Sequence, residues 1–267
     1  MIPLKLQPYA LLEKIRKEKP LVHHITNWVT ISECASLTRS LGALPIMAHA
    51  REEVEEMAGI SNALVLNIGT LTSELVDAME LAAKAANKKG IPVILDCVGA
   101  GATKMRTNAC LRLLKNSNIS VLKGNAGEIG SIAGVKAEVR GVESVSVAGE
   151  PKKIAKNLAA KLGCVVSITS KDDIVSDGKR TFLVRNGHEI MGEIVGTGCM
   201  AASCIACFCA VEKDYVHATA AALALFGVAG ELAAEKTLLP IEYKRQLIDE
   251  AYSLDETAAS NARVESC

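Results

Sequence analysis

Two stretches decide the fold: Ala63-Leu64-Val65-Leu66-Asn67-Ile68-Gly69-Thr70 and Pro92-Val93-Ile94-Leu95-Asp96-Cys97-Val98-Gly99-Ala100-Gly101. Each is a short apolar run that ends in a polar residue and a glycine-bearing turn. A run of this length without alternation reads as a strand buried on both faces. Between them, residues 71–88 repeat apolar positions every three or four residues, the stripe of an amphipathic crossover helix. Strand, helix and strand in that order make a βαβ unit with parallel strands. Working outward, residues 104–116 read as a second such helix, and 119–122 and 164–169 as two more buried strands. Around 173–190 the pattern changes to short strands about an Asp177-Gly178 turn, an antiparallel hairpin appended to the sheet. After Gly192 the chain turns almost wholly helical. The expected fold is α/β, a central, mostly parallel sheet with helices on both faces, as a single domain over residues 1–267. Residues 141–150 are the one stretch expected to be a flexible insertion, and no repeat or low-complexity linker is found.

Composition narrows the function. A chain of 267 residues, 49% hydrophobic and 22% charged, is not a disordered one. Thirty Lys+Arg balance thirty Asp+Glu, so there is no global positive field to hold nucleic acid or an anionic membrane. Residues 1–19 lack the long apolar centre and small-residue cleavage site of a secretory signal. The longest uncharged apolar runs, 199–211 and 218–230, fall short of the roughly 20 residues that span a bilayer. Nine cysteines, an odd number set in apolar segments, read as reduced thiols of a cytoplasmic protein.

The chemistry collects at the carboxyl ends of the expected strands: Asn67 to Thr70, Asp96 to Gly101, Lys123-Gly124-Asn125-Ala126-Gly127-Glu128, and Thr169-Ser170. Any one such end is a polar turn and no more. Four together mark one crevice, because ligands of open parallel sheets bind outside the carboxyl ends of the strands. A second feature is Gly196-Thr197-Gly198-Cys199, opening a small-residue helical run. Glycines there leave the N–H groups of the first helical turn free to face an anion, and the helix dipole adds roughly half a positive charge. A transferring phosphoryl group suits such an anion hole. Cys199, at a helix N-terminus, is expected to have a depressed pKa.

Familiar nucleotide motifs are excluded. Gly99-Ala100-Gly101 follows a strand, but position 104 is Lys and no acidic residue stands about twenty positions on, which disfavours a nicotinamide cofactor. No Gly-x-x-x-x-Gly-Lys-Ser/Thr occurs, so the chain is not a P-loop enzyme. Cys199, Cys204 and Cys207 have a spacing known from iron–sulfur ligation, but they fall in one continuous helical run, where Cys204, Cys207 and Cys209 are better read as small core residues. His23 and His24 are adjacent, so on a strand they point to opposite faces and read as packing or hydrogen-bonding residues. Asn27 is a candidate partner for a heterocyclic nitrogen or hydroxyl, and Met47 a polarizable wall for a small ring.

Taken in order, His24-Ile25-Thr26-Asn27, Leu66 to Leu71, Pro92 to Asp96 with Val98 to Thr103, Lys123 to Glu128, and Gly196 to Cys199 resemble the hydroxyethylthiazole kinase family over nearly the whole chain. The resemblance implies a ribokinase-like fold and ATP-dependent phosphorylation of the primary hydroxyl of 4-methyl-5-(2-hydroxyethyl)thiazole in thiamine salvage. It also implies Mg²⁺ and a homotrimer with active sites between subunits. Position by position, it makes Asn27, Met47 and Gly196 substrate-binding, Lys123, Asn125 and Thr169 ATP-binding, and Asp96 and Glu128 the residues that organise the metal. Gly196, Thr197, Gly198 and Cys199 form the anion hole. Cys199 stands where the wider superfamily has an Asp base, and is expected to take the substrate proton, with Asp96 as its rival. Three positions depart from the family's habit: Cys97 for a usual Pro, Trp28 for Asn and Ser170 for Gly. The alternatives are a hydroxymethylpyrimidine kinase or NAD(P)H-hydrate dehydratase of the same fold, both of which usually carry Asp in the anion-hole motif. From another class comes a non-catalytic nucleotide sensor, which would show damage at Asp96, Glu128 or the glycine turn.

Overall fold

The structure, a computed structural model, describes residues 7–135, 137–140, 143–147 and 149–267. The amino-terminal third runs α1 (Pro8–Glu18), β1 (Leu21–Ile25), α2 (Ile31–Ser40), β2 (Leu44–Ile46), α3 (Val54–Ile60) and β3 (Ala63–Asn67). The βαβ series then continues through α4 (Ser73–Lys89), β4 (Val93–Asp96), α5 (Lys104–Asn116), β5 (Val121–Asn125) and α6 (Ala126–Ala133). A two-stranded pair, β6 (Ala137–Arg140) and β7 (Glu143–Val147), leads to α7 (Pro151–Leu162), β8 (Val165–Thr169), β9 (Asp173–Ser176) and β10 (Thr181–Val184). The rest is α8 (Thr197–Val211), α9 (Tyr215–Lys236), α10 (Pro240–Ser253), α11 (Glu256–Ala259) and a last short strand, β11 (Val264–Ser266).

Among the described residues one sheet has nine strands in the order β11-β10-β9-β8-β5-β4-β3-β1-β2. From β8 to β2 every neighbour is parallel, while β9, β10 and β11 join antiparallel. Local chemistry sets the crossover helices. Thr72 caps α4 through the Leu75 N–H and Gly90, left-handed at φ 78°, ends it, while Thr103 caps α5 through Arg106 N–H.

The strands carry two cores because successive side chains alternate across a sheet. Ala63, Val65, Ile94, Val121 and Val165 face α1, α2, α8 and α9. Leu64, Leu66, Val93, Leu95, Leu122 and Val166 face α4, α5, α6 and α7. Each fully buried Leu or Ile contributes roughly 1.5–3 kcal/mol. Cys204, Cys207 and Cys209 are fully buried core side chains of α8, as expected, and all nine cysteines are free thiols.

The structure amends four sequence expectations. The strand expected at 119–122 is Val121–Asn125, so Lys123 sits inside a strand and not beyond it. The apolar run at 218–230 belongs to a longer helix, the 22-residue α9, which is long and apolar enough to cross a membrane, yet 83% of its apolar window is buried inside this fold. The hairpin is present about its Asp177-Gly178 turn, but a third strand, β11, pairs with its outer edge. Within the expected insertion at 141–150, Glu143–Val147 is a strand paired with Ala137–Arg140, and residues 141, 142 and 148 lie outside the described residues.

Candidate active site

Register builds the site. Asn67 on β3 stands beside Asp96 on β4, Asp96 beside Lys123 on β5, and Lys123 beside Ser167 on β8. These four continue the phase of Val65, Ile94, Val121 and Val165, so all point to the side occupied by α8. Their row is buried: Asp96 and Ser167 expose nothing, Asn67 1% and Lys123 4%. Opposite stands the first turn of α8. Gly196 is its N-cap at φ 102°, and the N–H groups of Thr197, Gly198 and Cys199 precede the first intrahelical bond, from Met200 N–H to Gly196 O. A Cβ on Gly198 would lie 3.1 Å from Lys123 Nζ, which places the ammonium against that turn.

One hydrogen-bonded chain joins these parts. Lys123 Nζ donates to Asp96 Oδ1 at 3.1 Å, and Asn67 Nδ2 donates to Asp96 Oδ2 at 2.8 Å. Asn27 Nδ2 donates to Asn67 Oδ1 at 3.0 Å and to Cys199 Sγ at 3.3 Å. Asn27 Oδ1 in turn accepts from Val29 N–H, Thr30 N–H and Thr30 Oγ1, which fixes the segment after β1. Thr30 also braces the anion turn, since a Cβ on Gly196 would fall 2.6 Å from Thr30 Cγ2.

Burial and charge set the protonation states. Burial raises the Asp96 carboxyl above its usual range, against the pull of the Lys123 ammonium and of both hydrogen-bond donors. Burial disfavours the Lys123 ammonium, but the Asp96 and Glu128 carboxylates outweigh it and the pKa is raised. The expected depression at Cys199 is not found: burial first, then the negative charge of Asp96, raise its thiol above the ordinary value, and Lys123 only partly opposes them. A helix N-terminus is too weak a field to overturn those two effects. Cys199 therefore carries its proton at neutral pH.

The other expected site residues divide. Thr169, half-buried at the end of β8, lines a cavity of about 710 Å³ together with Thr197 and Gly198, so the end of β8 and the first turn of α8 share one space. Met47, half-buried after β2, packs on the core under α8. Asn125 and Glu128 form a capping box at the start of α6: Asn125 Oδ1 accepts Glu128 N–H, and Glu128 Oε2 accepts Asn125 N–H. Glu128 Oε1 accepts Gly99 N–H at 2.7 Å, which ties the β4 loop to α6. Burial pushes this carboxyl up to about 7, against the attraction of Lys123. His23 and His24 point apart, to Ala48 O and to Ser203 Oγ on α8. Burial drives the His24 pKa down to about 3, so that ring is a neutral packing group.

Three residues with no role expected from sequence belong to the site. Asn67 closes a buried strand in phase with Val65, a signal that alternation carried. Thr30 lies one residue beyond Val29, the i+2 partner in the Asx turn of Asn27, and adds its own N–H and hydroxyl to the same oxygen. Arg106 gave no signal: from α5 its guanidinium reaches Ile68 O, Val98 O and Gly69 O and so pins two strand-end loops together.

The parallel sheet, with its carboxyl-end row facing a glycine-opened helix N-terminus, has the fold of solved ribokinase-like proteins. A ribokinase-like superfamily protein from Enterococcus faecalis superposes with a TM-score of 0.65 at 15% identity, over 95% of this chain and 99% of that one, a likeness of fold alone. The hydroxyethylthiazole kinase of Pyrococcus horikoshii OT3 superposes with a TM-score of 0.90 at 40% identity, over 97% of this chain and 98% of that one. In sequence, the hydroxyethylthiazole kinase of Methanosarcina mazei is 55% identical over 255 residues, 95% of this chain and 98% of that protein. That of Methanosarcina acetivorans is 56% identical over 245 residues, 92% of this chain and 94% of that protein. The sequence profile of the hydroxyethylthiazole kinase family matches residues 12–257. The chain belongs to the hydroxyethylthiazole kinase family.

Proposed function

We propose that this chain, one kinase domain over residues 1–267, transfers the γ-phosphoryl group of ATP to the primary hydroxyl of 4-methyl-5-(2-hydroxyethyl)thiazole in thiamine salvage. The observation that carries the mechanism is the chain Cys199–Asn27–Asn67–Asp96–Lys123 set against the anion turn of α8. The alcohol oxygen attacks the γ-phosphorus, the bond from that phosphorus to the bridging oxygen breaks, and ADP leaves with the electron pair. The alcohol's proton passes to Asp96, whose raised pKa makes it a stronger base than an exposed carboxylate. Cys199, protonated, does not take that proton; its thiol positions the hydroxyl. The N–H groups of Thr197, Gly198 and Cys199 hold the transferring phosphoryl oxygens, Lys123 adds a point charge beside them, and Thr169 and Asn125 border the nucleotide. Asn27, Met47 and Gly196 bound the thiazole side.

The donor set fits Mg²⁺. Asp96 and Glu128 are buried carboxylates in which each oxygen accepts a hydrogen bond and has a second lone pair. Magnesium commonly binds through one or two carboxylates plus substrate phosphates. The ion supplies neutralisation of phosphate charge, and Asp96 and Glu128 would hold it, directly or through water. We also read the enzyme as a cytoplasmic homotrimer with sites between subunits. The exposed apolar side chains Trp28, Val29 and Val195, at 58%, 63% and 69% exposure and close in sequence to Asn27 and Gly196, support that reading.

The test is transfer of labelled γ-phosphate from Mg-ATP to hydroxyethylthiazole, with hydroxymethylpyrimidine and NAD(P)H hydrate run in parallel. Label on the thiazole alone is the expected result; label on none of the three, with ATP still bound, would favour a nucleotide sensor. In the same assay Cys199→Ala is expected to keep measurable turnover. Losing one positioning contact is worth about 1.4 kcal/mol, or about tenfold in kcat. Complete loss at Cys199→Ala would return the proton-accepting role to the thiol.

A further inference from the structure

One imidazole ties together the two segments that carry Asn27 and Met47. β2 lies at the edge of the sheet, has three residues, and its pairing with β1 ends at Ile46. Met47 is therefore the first residue beyond the sheet, in a segment that runs without helix or strand to residue 53. Side chains take the first carbonyls of that segment. His23 Nε2 donates to Ala48 O at 2.8 Å and His49 Nδ1 donates to Met47 O at 3.1 Å, since a carbonyl oxygen can only accept. The other nitrogen of His49 crosses to the segment after β1, where Nε2 stands 3.0 Å from Thr26 N and 3.1 Å from Thr26 O. A neutral ring accepts the N–H and a charged ring donates to the carbonyl, so the link to Thr26 is present in both states. Trp28 lies on the same ring with centroids 4.6 Å apart, and its own N–H donates to Thr70 Oγ1 at 3.1 Å.

We infer that His49 is a positioning residue for the alcohol acceptor: by bonding Met47 O and Thr26 at once, it sets the distance between Met47 and Asn27. Thr26 directly precedes Asn27, whose amide donates to Cys199 Sγ inside the site, so a shift at Thr26 is passed on to that amide. β1 and β2 are already joined through Leu21, Val22 and His23, so the crossing bond adds nothing to the sheet and fixes only what lies beyond it. The inference rests on the reading of Asn27 and Met47 as the residues that bound the thiazole, and its test separates the two.

The test is steady-state kinetics of His49→Asn and His49→Gln in the full chain, with Mg-ATP and hydroxyethylthiazole. An asparagine amide reaches only the place of Nδ1, so it keeps the bond to Met47 O and loses the crossing. A glutamine amide reaches the place of Nε2 and can accept from or donate to Thr26. His49→Asn is expected to raise the KM for the alcohol about tenfold, the worth of one hydrogen bond, while kcat and the KM for ATP stay within about twofold. His49→Gln is expected to stay within about threefold of the parent in all three constants. A residue that merely supported the fold would raise both KM values together and would not distinguish glutamine from asparagine. Equal alcohol KM values in the two variants, or a KM for ATP that rises in step, overturns the inference. Where His49→Asn does not fold, His49→Ala, which lacks both bonds, is compared with His49→Gln by the same criteria. Met47→Ala, measured beside them, distinguishes the failures: if it raises the alcohol KM while the two His49 variants match each other, only the role of His49 falls. If Met47→Ala leaves the alcohol KM unchanged, the reading of Met47 falls, and the inference falls with it.

Discussion

Asp96→Asn is expected to lose about a thousandfold in kcat, within the range of about 10²–10⁴ that a positioned general base contributes. The substitution keeps the shape of the side chain and its place in the row between Asn67 and Lys123. It removes the only buried group in the row that can receive a proton, since Lys123 is held charged and Cys199 is held protonated. The parent enzyme is expected to show an acid limb, with activity falling as pH drops through the raised pKa of Asp96. In Asp96→Asn that limb disappears. A steady-state pH profile of both proteins checks the result, and a variant within about tenfold of the parent at every pH would remove Asp96 from the chemistry.

The largest effect on stability is expected at Lys123→Ala. Lys123 and Asp96 form an ion pair with side chains 5% and 0% exposed, so deleting the ammonium leaves a carboxyl buried without its counter-charge. Breaking such a pair costs about 3–5 kcal/mol, which for a chain of this size lowers the melting temperature by roughly 10 °C. The sign with pH follows. Without Lys123 the folded pKa of Asp96 rises further above its unfolded value, so its contribution is fully present below the unfolded pKa and is lost as pH rises through the folded one. The deficit against the parent is therefore smaller at pH 5 than at pH 8, and thermal melts at the two values measure it. Equal deficits at both would show that Asp96 is not the group left unpaired.

The parallel sheet was legible because its strands are buried on both faces and its crossover helices carry clear stripes. Ala63–Asn67 and Lys104–Asn116 fall where the sequence places them. The edges were less legible. β2 and β11 have three residues each, too few for a period to register. The site was legible as a set of strand ends, because polar residues there have no packing reason to be buried. What sequence did not carry was the register that aligns Asn67, Asp96 and Lys123, a non-local property of three strands. The same holds for the state of Cys199, where the helix end is visible in sequence but the burial and the neighbouring carboxylate are not. Glu128 shows a local motif serving a distant one: its capping box is readable in Asn125-Ala126-Gly127-Glu128, while its second bond, to Gly99, is not.

Thr30 touches both Asn27, to whose Oδ1 it is bonded, and Gly196, beneath which its methyl group lies. If Asn27 bounds the thiazole and the first turn of α8 holds the phosphoryl group, as proposed, Thr30 fixes the spacing between them and the enzyme would gauge the reach of its acceptor. An alcohol arm one carbon longer or shorter brings its oxygen about 1.5 Å off the line of transfer, the length of one carbon–carbon bond. On that reading, the length of the arm would set selectivity alongside the identity of the ring.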